Sequence, residues 1–156
     1  NARAQLNQLL NQQPEDPQDP VTPEEPTPST DGLVVTDFSS WIISGTTTSV
    51  TSGLAAKVHK DNTIVATSNV TVASISEIVA NMNLESKGDM TITISTSSNK
   101  NNWIDCTTLT VKSNNKNEDV KATCNVSGPV YLRITITCSK GSSNAKSVTI
   151  NSLDIH

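Results

Sequence analysis

The sequence predicts an all-β domain, an antiparallel β-sandwich of the jelly-roll kind, preceded by a short helix and a proline-rich linker. Three observations carry this. From Gly32 onward apolar and polar residues alternate with a period of two, the side-chain period of a half-buried strand. The same stretch is rich in serine, threonine, asparagine and β-branched residues, which suit strands and turns better than helices. Six of the seven prolines (14, 17, 20, 23, 26 and 28) precede it, dividing the 156 residues into a tail, a spacer and a body.

In NARAQLNQLLNQQ, Ala2, Leu6, Leu9 and Leu10 fall on one side of a helix too short to be stable alone in water. Residues 1–12 therefore read as the helical tail of a preceding domain, with a free amphipathic tag as the rival, and the abrupt start at Asn1 reads as the edge of something larger. Residues 13–31 are the linker. Five of its prolines recur at every third position, matching the three-residue turn of polyproline II. Fully extended, the roughly 19 residues from Gln12 to Thr30 span about 60 Å, enough to separate two folded bodies.

Residues 32–156 form the predicted body, long enough to bury roughly two thirds of its unfolded surface in one core. In GDMTITIST, Met90, Ile92 and Ile94 face one way and Thr91, Thr93 and Ser95 the other. In VYLRITITC, Leu132, Ile134, Ile136 and Cys138 oppose Tyr131, Arg133, Thr135 and Thr137. DVKATC and LTVKS repeat the pattern, with Lys121 and Lys112 on the wet side. Further strands are expected at 33–38, 54–60, 63–67, 70–74 and 146–155, separated by turns such as Asp61-Asn62, Asn114-Asn115 and Lys140-Gly141-Ser142. SISEIVANMNLES offers both a helical capping box, Ser74 to Glu77, and an alternation of Ile78, Ala80, Met82 and Leu84. A strand is preferred, because the turn Ser86-Lys87-Gly88-Asp89 then pairs it with 89–96. Two sheets must close over these dry faces.

The formal charge of −4 averages two unlike parts. Residues 1–31 hold six acids against Arg3, so the body carries nine acids and ten bases and sits near neutrality. That is too little positive charge for a general nucleic-acid binder, although lysines grouped on one face can still meet an anionic ligand. No apolar run approaches the roughly 18 residues of a membrane helix, and no signal peptide is read. Cys106, Cys124 and Cys138 are far apart and the histidines are only two, so no zinc site is suggested. At most one disulfide can form within the chain; Cys124 and Cys138, both inward by alternation, are either reduced core residues or one disulfide.

No catalytic constellation is legible. His156 is terminal, His59 lies beside Lys57 and Lys60, and Asp105, Glu77 and Glu85 stand in no recognisable setting for acid–base work. Carbohydrate binding without catalysis is the better expectation, since sandwiches joined by Pro/Thr linkers to secreted enzymes often bind sugars. Neutral glycans are usually gripped by exposed aromatic rings, and only Phe38, Trp41, Trp103 and Tyr131 are present. Trp41 reads as core and Trp103 as core or rim, while Tyr131, on a wet face, offers one platform. An aromatic-poor module must draw affinity from its lysines, arginines, threonines and asparagines, which favours an acidic sugar. Lys57, Lys112, Lys121 and Arg133 all face outward and would form one cationic surface if their strands share a sheet.

The order WIDCTTLTVKS, DVKATC, VYLRITITC, KSVTINSLDI, after TITISTSSNKNNW, resembles the galactose-binding-like jelly rolls appended to bacterial polysaccharide-degrading enzymes, and within them the pectin-binding carbohydrate-binding modules of family 77 found in pectate lyases. The likeness spans about residues 32–156. It implies a secreted, monomeric, non-catalytic module that binds homogalacturonan, an acidic plant cell-wall polysaccharide, through lysines, with a catalytic domain in the same chain as its other partner. The expected ligand-binding residues are Lys57, Lys112, Lys121, Arg133 and Tyr131, with Lys60, Lys87, Lys100 and Lys116 as substitutes beside turns. Neither nucleic acid nor membrane is expected as a partner. Many related jelly rolls hold a structural calcium near their termini, and Asp37 and Asp154 would meet if the first and last strands pair. Isolated aspartates are more often solvated or turn-capping, and two residues supply fewer than the six to eight oxygens calcium takes, so no cofactor is the expectation, with a structural calcium as the lesser alternative. The other readings are a structural or adhesive cell-surface β-domain, marked by lysines dispersed over both sheets, and a neutral-glycan binder, which needs Trp103 and Tyr131 exposed together.

Overall fold

The structure is a computed structural model that describes residues 32–58, 63–85, 90–137 and 146–156. The expected helix and linker, together with His59, Lys60, Lys87, Cys138 and the turns at 61–62, 86–89 and 140–142, lie outside the described residues. Among the described residues there is no helix and there are nine strands: β1 (Leu33–Val35), β2 (Ile42–Ser44), β3 (Leu54–Val58), β4 (Thr63–Thr67), β5 (Val72–Glu85), β6 (Met90–Ser97), β7 (Ile104–Val111), β8 (Glu118–Thr137) and β9 (Lys146–Ile155).

Every pairing of these strands is antiparallel. In sheet I, β9 lies between β5 on one side and β3 and β1 on the other, and β5 pairs in turn with the first part of β8. In sheet II the order is β2, β4, the last part of β8, β6, β7. The two are one curled ladder, because β8 belongs to both. It leaves β5 after Val130, and from Tyr131 to Thr137 it pairs with β4 and β6. Gly128 and Pro129 mark the bend. Gly128 takes φ +92, open to glycine at little cost, and Pro129 brings no N–H to the ladder.

Alternation decides what the curl encloses. Leu54, Ile78, Met82, Leu84, Val148 and Ile150 from sheet I meet Ile64, Met90, Ile92, Ile94, Leu109, Leu132, Ile134 and Ile136 from sheet II, each at most 1% exposed. Phe38 and Trp41 plug the opening beside β1, edge to face at a centroid distance of 5.1 Å, so Trp41 is core as read from the sequence. The segment that offered both periods is strand throughout β5, its capping-box residues absorbed into one 14-residue strand that takes in only 72–74 of the expected strand at 70–74 and that pairs with β8 and β9 rather than, as expected, with 89–96. Tertiary pairing on both edges outweighs the local helical signal here. β9 covers the expected residues 146–155, whereas β1 stops at Val35, before the turn in which the Asp37 carboxylate accepts the Ser39 N–H at 2.8 Å.

The cysteine pairing corrects the expectation. Cys106 on β7 is bonded to Cys124 on the first part of β8, with Cα atoms 5.6 Å apart, so Cys124 is neither a reduced thiol nor the partner of Cys138. The sequence hid this because Cys106 sits at a bulge. Ile94 pairs with Thr107 and Ser95 with Asp105, which leaves Cys106 as an extra residue with no opposite number on β6. The disulfide thus ties the edge strand of sheet II to the part of β8 that lies in sheet I.

Candidate functional site

The outer face of sheet II is a floor of hydroxyls. Its cross-strand rows read Thr63, Thr137, Thr91, Thr110, then Ser44, Val65, Thr135, Thr93, Thr108, then Ile42, Thr67, Arg133, Ser95, Asp105. At about 4.8 Å between strands, a five-strand row is about 19 Å wide, room for several sugar rings side by side. A further pair, Ser97 and Tyr131, extends the floor past Arg133.

At this end two cations lie on two aromatic rings. The Arg133 guanidinium carbon is 4.6 Å from the centroid of Trp103, and the Lys100 ammonium is 4.5 Å from that of Tyr131. Both are cation–π distances, worth about 0.5–2 kcal/mol each depending on desolvation. Trp103 is half-buried, Ser95 and Ser97 lie buried below, and the Ser95 hydroxyl donates to the Asp105 carboxylate at 2.6 Å. Arg133 Nε is buried and makes no hydrogen bond, a donor within the patch that remains unspent.

The turn from β6 to β7 builds this arrangement. Asn99 Oδ1 accepts the N–H groups of Asn101 and Asn102 at 2.9 and 3.0 Å, Lys100 adopts φ +63, and the Trp103 indole N–H donates to the Lys100 carbonyl at 3.1 Å. Asparagine suits such a turn because its side chain accepts from the main chain nearby. The bulge at Cys106 supplies the other half. Counting back from inward Leu109, strict alternation would turn Thr107, Asp105 and Trp103 into the sandwich; the extra residue reverses that order, so Asp105 and Trp103 join the outer face.

The structure divides the expected cations. Arg133 and Tyr131 share the outer face of sheet II. Lys57 and Lys121 are exposed on the outer face of sheet I, where Lys57 pairs with Ser147 and Lys121 with Val79, which is itself opposite Asp154. Strand spacing and rise put those two lysines roughly 25 Å apart. Lys112 is exposed where β7 turns toward β8. One cationic surface holding Lys57, Lys112, Lys121 and Arg133 is therefore corrected to separate locations. The cause is β8, which changes sheets between Lys121 and Arg133, so outward means opposite faces of the sandwich in its two parts. Lys100, a substitute by sequence, and Trp103, which the sequence places equally in core or rim, are what the turn and the bulge add to Arg133 and Tyr131.

The first and last strands do pair, with Val34 opposite Asp154, yet each aspartate has a nearer partner. Hydrogen bonds from the Ser39 hydroxyl and N–H hold the Asp37 carboxyl below the usual carboxylate range, and Asp154 lies 3.2 Å from the His156 imidazole. No group of three or more His, Cys, Asp or Glu residues suited to a metal occurs among the described residues.

The sequence matches no protein-family model and no curated protein. Solved structures match through the fold. The carbohydrate-binding module CBM36, in complex with calcium and xylotriose, has a TM-score of 0.51 at 6% identity over 80% of this chain and 98% of that one. A lysine-to-alanine variant of the family 29 module CBM29-2, complexed with cellulohexaose, has a TM-score of 0.50 at 13% identity over 80% of this chain and 92% of that one. A second such variant of CBM29-2 matches equally, over 91% of its own length. The chain thus has the β-sandwich fold seen in these modules.

Proposed function

We propose that this chain is a non-catalytic module that binds an acidic plant cell-wall polysaccharide, homogalacturonan, on the outer face of sheet II and so holds a secreted polysaccharide-degrading enzyme, a pectate lyase, against its substrate. The observation that carries this reading is the stacking of Arg133 on Trp103 beside Lys100 on Tyr131, at one end of a hydroxyl floor. A guanidinium presents a planar fork that fits a carboxylate, and a ring beneath it reduces the side-chain freedom lost on binding. The ammonium of Lys100 adds a mobile charge over Tyr131, two residues along β8 from Arg133, and the threonines offer donors and acceptors to sugar hydroxyls. The fold adds support, since CBM36 and CBM29-2 carry xylotriose and cellulohexaose on the same architecture.

Affinity electrophoresis tests the proposal. Polygalacturonate in the gel should retard the protein, and the retardation should weaken with added salt and with methyl esterification of the polymer. Migration indifferent to polygalacturonate would end this reading.

A second reading, a structural or adhesive β-domain, is favoured by one observation: Lys57 and Lys121 lie on sheet I while Lys100 and Lys112 flank β7 of sheet II, so the lysines are dispersed rather than gathered. It expects no retardation by any glycan, charged or neutral.

A further inference from the structure

We infer that the cleft at the far end of sheet I is a second binding site, one that takes a single neutral sugar unit such as a branch or chain end. This does not depend on the function proposed for sheet II.

The cleft encloses about 330 Å³ and is lined by Asn83, Glu85, Asn115, Lys116, Asn117, Ser147 and Thr149. Its floor is two cross-strand pairs of the outer face, Asn83 with Thr149 and Glu85 with Ser147. Its wall is the connection from β7 to β8, which is anchored rather than loose. Asn115 is buried, its side chain donates to the Met82 carbonyl at 3.2 Å, and its carbonyl accepts the Leu84 N–H at 2.9 Å. The Asn117 N–H donates to Asn83 Oδ1 at 2.7 Å, with Asn117 at φ +50. Behind the wall, Asn151 donates to Asn81 and Asn117, and Asn81 donates to the Asn117 carbonyl and to Asp119. Floor and wall are therefore held in place before any ligand arrives.

The lining selects the ligand class. All seven described lining side chains are polar, which suits a hydrogen-bonding ligand better than an apolar one. Among the described lining residues one ammonium is balanced by one carboxylate, and a single carboxylate is too few for calcium. The Asn83 and Asn115 amides are spent on holding the wall, so the groups facing a sugar are the Ser147 and Thr149 hydroxyls, the Lys116 ammonium, the Glu85 carboxylate and the Asn117 amide nitrogen, donors and acceptors that adjacent sugar hydroxyls match. The volume lies at the small end of ligand pockets, suited to one ring rather than a chain.

Backbone amide NMR titration tests this with galactose, glucose, arabinose, rhamnose and galacturonate as probes. At least one neutral sugar should shift the Asn83, Asn117 and Thr149 signals in a saturable way, with Kd on the order of 1 mM. Thr149→Val, which keeps the side chain's shape, and Lys116→Ala, in an exposed loop, should each weaken that sugar about tenfold without changing the thermal midpoint. Absence of saturable shifts at these residues for every probe overturns the inference, and so does a response confined to galacturonate. Shifts around Trp103 alone overturn this second site and leave the sheet II reading intact. Shifts at the cleft with none at Trp103 for any probe, oligogalacturonate included, do the reverse.

Discussion

The guanidinium of Arg133 lies over the indole of Trp103, although Arg133 is on β8 and Trp103 immediately precedes β7, and those two strands do not pair: β6, carrying Ser95 and Ser97, runs between them. The contact bridges two strand spacings, roughly 10 Å of backbone separation. Long side chains close that gap by reaching over two buried serines.

Removing either member should cost more than its own contribution. Arg133→Lys keeps the charge but loses the planar fork, and Trp103→Ala removes the ring; each should weaken retardation by polygalacturonate several-fold. A double-mutant cycle should return a coupling of about 1 kcal/mol. Coupling near zero, with circular dichroism unchanged, would show that the stack plays no part in binding.

The disulfide should matter twice. Changing Cys106 and Cys124 together to serine should lower unfolding free energy by about 2–4 kcal/mol in chemical denaturation. It should also weaken glycan binding in the variant that remains folded, because the bulge orienting Trp103 and Asp105 loses its tether to sheet I. Wild-type affinity in that folded variant would mean the bulge is set by the β6 ladder alone.

Gly53 is expected to resist substitution. It adopts φ +77, and a Cβ there would come within 2.5 Å of the Ile150 carbonyl oxygen, which is main chain and cannot swing aside. Gly53→Ala should lower the unfolding free energy by about 1–3 kcal/mol, read from denaturant midpoints at unchanged slope. Because the site lies on the other sheet, glycan retardation should be unaffected at temperatures where the variant is folded.

What could be read from the sequence was what depends on period. Met90, Ile92 and Ile94, or Leu132, Ile134 and Ile136, declare a half-buried strand with no knowledge of their neighbours, and each triplet is buried. Tyr131 as an outward residue followed from the same rule, and Trp41 as core from its apolar neighbours Phe38, Ile42 and Ile43. The site followed less well, because its geometry rests on events alternation does not record. The bend at Gly128 and Pro129 moves β8 from one sheet to the other, which separates Lys121 from Arg133 though both point outward. The extra residue at Cys106 reverses the facing of Asp105 and Trp103. The clearest trace of either event in the chain is the Gly-Pro pair inside an otherwise regular strand, a pattern that signals a break in pairing.

The transit of β8 also has a mechanical consequence. A pull from upstream of Gly32 would reach β1, which among the described residues pairs with β9 alone, while a polymer bound as proposed at Arg133 would pull on sheet II. Tension between those points must run through β9 and β5 into β8 and past its bend, with the Cys106–Cys124 bond as a parallel covalent strut between the halves. Stretched from its upstream end against an anchored glycan, the domain should yield first by stripping β1 from β9, leaving the proposed binding face of sheet II assembled.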